Sequence, residues 1–187
     1  EEEEDAPAAD EDEEEDAGGV PLRFAVGDAM SGGDGGDSKP RIVLVFTDDT
    51  GRWPTRGFFR SVSAVSDKPQ AAYESAHENK DLSLGDAHLI QCDDAPATST
   101  SSTSSTLSVC LLVVLKRDKR AQYGTPPELD TSALDTALAR LGPAAAKLRA
   151  SVHSPRLAST SNWYAVERLL RKHLRKAATT VYYFRRS

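Results

Sequence analysis

Along this chain the apolar positions fall into short unbroken runs, separated by stretches in which they recur at helical spacing. Arg41–Phe46 carries IVLVF, the continuous run expected of a strand buried on both faces, which favours a parallel sheet over a solvated hairpin. Leu107–Lys116 (LSVCLLVVLK) repeats it, and Val20–Val26, Asp86–Cys92, Ser151–Leu157 and Thr179–Phe184 read as further strands. Helices are expected at Phe58–Val65 and Gln70–Asn79. Within Leu129–Leu148, Leu134, Leu138, Leu141 and Leu148 keep helical spacing, although Gly142-Pro143 should kink or break that helix. Trp163, Val166, Leu169, Leu170 and Leu174 mark one more, Asn162–Lys176. Asn162 is its candidate N-cap, and the cations of its last turns suit the negative end of the helix dipole. Strands alternating with helices predict a three-layer α/β domain.

Charge divides the chain in two. Of its 187 residues, 1–19 hold 12 acids and no Lys or Arg; the other 17 of 29 acids face 23 bases in residues 20–187. The net charge of −6 therefore hides a basic domain of +6. The block EEEEDAPAADEDEEED cannot bury enough apolar surface to offset chain entropy, so residues 1–19 are expected to be a disordered acidic linker. It reads either as a solubilising spacer or as a segment that mimics nucleic acid or meets histones. The rest, residues 20–187, suits a single domain. A glycine-rich loop (SGGDGGDSKP) precedes Arg41, and residues 95–106, almost purely Ser, Thr, Ala and Pro, read as a flexible insertion. With no methionine before Met30, the sequence reads as a piece of something longer.

Cys92 and Cys110 lie in apolar strand-like runs without metal-ligand spacing to the four histidines, and are expected to be reduced core residues in an intracellular protein. The longest apolar run, Val109–Leu115, is too short to span a bilayer, and no signal-peptide pattern is present. A soluble, non-secreted protein is expected.

Candidate chemistry concentrates where the Ser151–Leu157 strand passes through a polar turn into a basic helix. Backbone N–H groups at such a helix start attract anions, so Ser159, Thr160, Ser161 and Asn162 form a candidate phosphate cradle. Arg168 and Arg171, three apart, present two guanidinium forks to one acidic partner or simply make a solvated face. No GxxxxGK[ST] phosphate loop occurs, so no ATPase motor lies in this chain.

Four segments, Lys80–Asp94 (KDLSLGDAHLIQCDD), Ser151–Leu157 (SVHSPRL), Asn162–Leu174 (NWYAVERLLRKHL) and Val181–Arg186 (VYYFRR), are similar to macro domains, and within them to the C-terminal macro domains of chromodomain-helicase-DNA-binding protein 1-like chromatin remodellers. The resemblance implies a three-layer α/β/α fold with a mixed, mostly parallel sheet and a cleft that recognises ADP-ribose or poly(ADP-ribose). It implies a nuclear module, linked to the DNA damage response, that restrains an ATPase motor until poly(ADP-ribose) binds. Its implied partners are poly(ADP-ribose) or ADP-ribosylated proteins, that motor, through Arg168 and Arg171, and chromatin indirectly, with no membrane, metal or further cofactor. Gly27-Asp28 matches the family's Gly-Asp pair, whose carboxylate accepts from the adenine amino group; the bare residues equally allow Asp28 to cap a turn.

Gly51–Phe58 takes the place of the family's first phosphate loop, with Gly51, Arg56 and Gly57 as implied contacts. Arg56 either pairs with phosphate or is surface packing, and Trp53 either stacks on a ring or packs. In the second loop Leu157-Ala158-Ser159-Thr160-Ser161 stands where relatives carry glycine, and alanine tolerates fewer backbone conformations. Trp163 is expected in the core and Tyr164 towards the ribose. Hydrolytic macro domains commonly carry an asparagine-rich segment where this chain has Thr47-Asp48-Asp49-Thr50, so a non-catalytic reader is expected. The alternatives are an interaction module without ligand that only holds the motor, and an ADP-ribosyl hydrolase.

Overall fold

The computed structural model describes residues 19–31, 39–92, 106–122, 124–158, 160 and 162–183. The acidic segment apart from Gly19, most of the glycine-rich loop, nearly all of the Ser/Thr-rich insertion, Ser159, Ser161 and Phe184 lie outside the described residues. In chain order the elements are β1 (Arg23–Val26), β2 (Arg41–Asp48), α1 (Phe58–Val65), α2 (Lys68–Glu78), β3 (Ala87–Gln91), β4 (Leu107–Lys116), β5 (Glu128–Leu129), α3 (Thr131–Leu148), β6 (Ser151–Pro155), α4 (Trp163–His173) and β7 (Thr179–Tyr183). The strands form one sheet in the order β1-β7-β6-β2-β4-β3, with β5 paired to β4. β1, β7, β6, β2 and β4 run parallel, while β3 and β5 lie antiparallel to β4. This is the expected three-layer α/β/α architecture with a mixed, mostly parallel sheet.

The unbroken apolar runs are explained by alternation between two cores. Ile42, Leu44 and Phe46 of β2 and Cys110, Leu112 and Val114 of β4 point to the face covered by α3 and α4. Val43, Val45, Val109 and Leu111 point to the opposite face with Val62 of α1 and Tyr73 of α2. Since successive strand side chains point to opposite faces, a central strand covered on both sides must be apolar at every position. Burying each such Val, Leu or Ile contributes about 1.5–3 kcal/mol, which is why these two strands are the most legible in the sequence.

Three boundaries correct the sequence reading. Gly142-Pro143 does not break the third helix, which runs continuously from Thr131 to Leu148. Pro143 and Ala139, whose carbonyl loses its partner to the missing proline N–H, both face solvent, so water can satisfy the freed oxygen. Gly142 is buried at the α4 crossing, where a Cβ would run into the His173 carbonyl oxygen. The last helix ends at His173 and not Lys176: Leu174 leaves helical geometry and is 3% exposed within the core. The two-residue β5, too short for a periodic signal, was absent from the sequence reading.

Restoring the missing helix hydrogen bond should help the fold. Pro143→Ala is expected to raise stability by about 1–2 kcal/mol, less than the full proline penalty because the unfolded chain also gains freedom; a denaturant midpoint that falls would contradict the exposed-face account.

Candidate functional site

The crevice is set by topology. From β2 the chain crosses towards β4 through α1 and α2 on one face; from β6 it crosses the other way to β7 through α4 on the opposite face. Neighbouring strands whose connections diverge leave an opening at their carboxyl ends, the usual ligand position in an open α/β sheet. The loops emerging there are 27–31 after β1, 49–57 after β2 and 156–162 after β6. Gly27, Asp28, Gly51, Arg56, Gly57, Thr160, Asn162 and Tyr164 are thus all brought to one edge of the sheet. Ser159 and Ser161 fall outside the described residues.

Asp28 does cap its turn: Oδ1 accepts from the Met30 N–H at 2.8 Å. That engages one oxygen, and Oδ2 has no partner among the described residues, so turn and ligand roles are compatible. Gly27 adopts φ 138° with open space around the position of a Cβ, a conformation that L side chains rarely adopt.

The loop after β2 is held from within. Asp48, 7% exposed at the end of β2, accepts through Oδ1 from the Thr50 N–H at 3.1 Å and hydroxyl at 2.7 Å, and through Oδ2 from Arg117 Nε at 2.7 Å. The Tyr73 hydroxyl, on α2, shares its hydrogen between Asp48 Oδ1 at 2.7 Å and the Asp48 carbonyl at 2.8 Å, and accepts from the Gly51 N–H at 3.2 Å. Burial opposes ionisation of Asp48, but the hydrogen bonds from Arg117, Thr50 and Tyr73 outweigh it and hold the carboxyl below its ordinary range. Burial, and then the neighbouring Asp48, push the Tyr73 phenol well up. In the sequence Asp48 stands out only as part of the segment that replaces the asparagines of hydrolytic macro domains, and Tyr73 does not stand out at all. A buried tyrosine requires a partner for its hydroxyl, but which one is fixed by a contact between elements 25 positions apart.

One expected ligand contact in this loop, Gly51, and the residue left open between stacking and packing, Trp53, are committed elsewhere. The Gly51 N–H is spent on Tyr73, and Gly51 sits at φ 75° where a Cβ would overlap the His77 imidazole; its glycine is required by packing. Trp53 is buried, donates Nε1–H to Ser63 Oγ at 2.9 Å and packs edge-on to Phe59 with centroids 5.0 Å apart. Between the two readings of Trp53, packing holds. Arg56 and Gly57 are exposed; Gly57, at φ 62° with open space around it, precedes α1. Tyr73→Phe leaves the Gly51 N–H without an acceptor and is expected to cost about 1–2 kcal/mol, measurable as a lowered denaturant midpoint.

After β6, Asn162 caps α4, its Oδ1 accepting from the Ala165 N–H at 3.2 Å. Trp163 is 6% exposed, edge-on to Phe46 at 6.4 Å, as expected of a core residue. Tyr164 is 68% exposed in the first turn. Arg168 and Arg171 are exposed on the outer face of α4, with Arg171 Nη1 3.8 Å from Glu167. Among the described residues no cluster of His, Cys, Asp or Glu could hold a metal ion, and no helix is long and apolar enough to cross a membrane.

The fold is that of macrodomains. A macrodomain protein from Streptomyces coelicolor superposes with a TM-score of 0.68 at 25% identity, over 88% of this chain and 100% of that one. A Thermosipho africanus DarTG structure in complex with ADP-ribose gives 0.64 at 15% identity over 88% and 43%. No protein-family model matches. In sequence the chain is related to the chromodomain-helicase-DNA-binding protein 1-like remodellers: it is 35% identical to the Danio rerio protein over 170 residues, 88% of this chain. It spans 16% of the length of the curated relatives it matches.

Proposed function

We propose that this chain is a non-catalytic module that binds ADP-ribose or poly(ADP-ribose), and that it forms the C-terminal part of a nuclear chromatin-remodelling ATPase whose motor it regulates. The observation that carries the reading is the macrodomain crevice with Asp28 at its rim, in a chain related over most of its length to remodellers. One Asp28 oxygen holds the Met30 turn, leaving the other to accept from an adenine amino group. Relatedness to remodellers supports a place in the nucleus and in the response to DNA damage, with ADP-ribosylated proteins as partners and chromatin reached through the parent protein.

Calorimetric titration of the full chain with ADP-ribose and with a short poly(ADP-ribose) oligomer, at two salt concentrations, tests this. Saturable binding is expected, weaker for the polyanion as salt rises. Asp28→Ala should weaken it at least tenfold, about 1.4 kcal/mol. Asp28→Asn separates the roles, since its carbonyl can still cap Met30 while its amide can offer the adenine a donor where an acceptor is required. Full affinity in both variants would remove Asp28 from the site.

A second reading, a module that holds the motor without a ligand, is favoured by the commitment of Gly51 and Trp53 to the protein's own packing; absence of binding to either ligand would select it. Hydrolysis is the weaker alternative. Asp48 is saturated with donors and held ionised, which leaves it a poor base.

A further inference from the structure

A groove of about 900 Å³ runs along the outer face of α4, bounded by residues 19–22 and the first turn of α3. Arg168, Arg171, Lys172 and Arg175 line it. Lys172 Nζ lies 3.2 Å from Asp135, which His173 also contacts, and Arg171 leans on Glu167. Arg168 and Arg175 pair with no acid among the described residues. At the groove's end the Val20 N–H donates to the Arg175 carbonyl oxygen at 3.0 Å, so the chain preceding Val20 begins on this basic face. Glu11–Asp16, six consecutive acids, stand just ahead of it.

We propose that the acidic segment Glu1–Asp16 of this chain occupies the basic groove of α4. The 11 residues of α4 extend roughly 16 Å, a span that about five residues of extended chain cover. The acidic run is long enough to lie along the whole groove. Tethered at Val20, it reaches the groove at an effective concentration on the order of millimolar, and its contact is Coulombic and so sensitive to salt. Any other acidic partner of Arg168 and Arg171 must displace it. This inference stands independently of ADP-ribose binding.

The test is paramagnetic broadening in the full-length, ¹⁵N-labelled chain carrying a nitroxide at Ala8→Cys, the native Cys92 and Cys110 being buried. At about 50 mM salt, amides in the amino-terminal half of α4, around 163–168, should broaden strongly while those of α2 do not. Raising salt to about 500 mM should relieve most of that broadening, as should Arg168→Glu with Arg175→Glu, in a chain whose α2 resonances stay in place. Broadening confined to the neighbourhood of Val20, or spread equally over α2 and α4, would overturn the proposal. So would broadening that vanishes on tenfold dilution, which assigns the contact to a second copy.

Discussion

A Gly51→Ala chain is expected to lose about 3 kcal/mol of stability, although Gly51 lies in a loop and the change adds one methyl group. Two costs combine. At φ 75° an L residue carries a backbone penalty of roughly 1–2 kcal/mol. The added Cβ also meets the near end of the His77 side chain, its Cβ at 2.6 Å as well as the ring, so rotating the imidazole does not relieve the overlap and the last turn of α2 must move. Overpacking of that kind costs roughly 1–3 kcal/mol. The shift also pulls on the Gly51–Tyr73–Asp48 hydrogen bonds. Gly57 separates the costs: at φ 62° with nothing within 4 Å of its Cβ position, Gly57→Ala should lose only the backbone part, about 1 kcal/mol. Adding His77→Gly to Gly51→Ala should return the difference. Equal losses at Gly51 and Gly57 by denaturant titration would show that the His77 contact carries no energy.

These two glycines show what the sequence could reveal. Both were legible as loop glycines because turn chemistry is local, but which one is wedged against a helix depends on how α2 lies over the loop. β2 and β4 were readable because burial on both faces leaves an apolar mark at every position. Asn162 was legible as a cap because its partner, Ala165, is three residues away. The structural role of Asp48 is not legible locally, since Arg117 and Tyr73 reach it from 69 and 25 positions away. Pro143 misled because proline acts on the helix through one exposed turn, and exposure follows from packing. The crevice is a further step removed: which loops share an edge follows from strand order, and no residue pattern states that β6 lies between β2 and β7.

Acidification from pH 7 to pH 4 is expected to remove on the order of 3 kcal/mol, most of it through His153. This side chain is 6% exposed, with Nε2 2.8 Å from the Ser151 hydroxyl and Nδ1 2.7 Å from the Tyr182 hydroxyl. Burial first, and the charge of Arg41 second, pull its pKa from 6.5 to about 4. Its hydrogen-bond partners are two hydroxyls and no carboxylate, so no negative charge among them offsets the burial of an imidazolium. Between those two pH values the unfolded chain binds a proton that the native chain refuses. Stability is therefore intact above 6.5 and falls as pH drops towards 4, by about 1.4 kcal/mol for each unit of separation. Asp48 acts in a different window: its lowered pKa confers stability present above 3.8 and lost only below it. His153→Gln should accordingly flatten the pH dependence between 6.5 and 4 while leaving the steeper loss in stronger acid. The direct check is the His153 imidazole titration followed by NMR in the folded chain, where a midpoint near 6.5 would contradict the buried, cation-flanked ring and remove this slope.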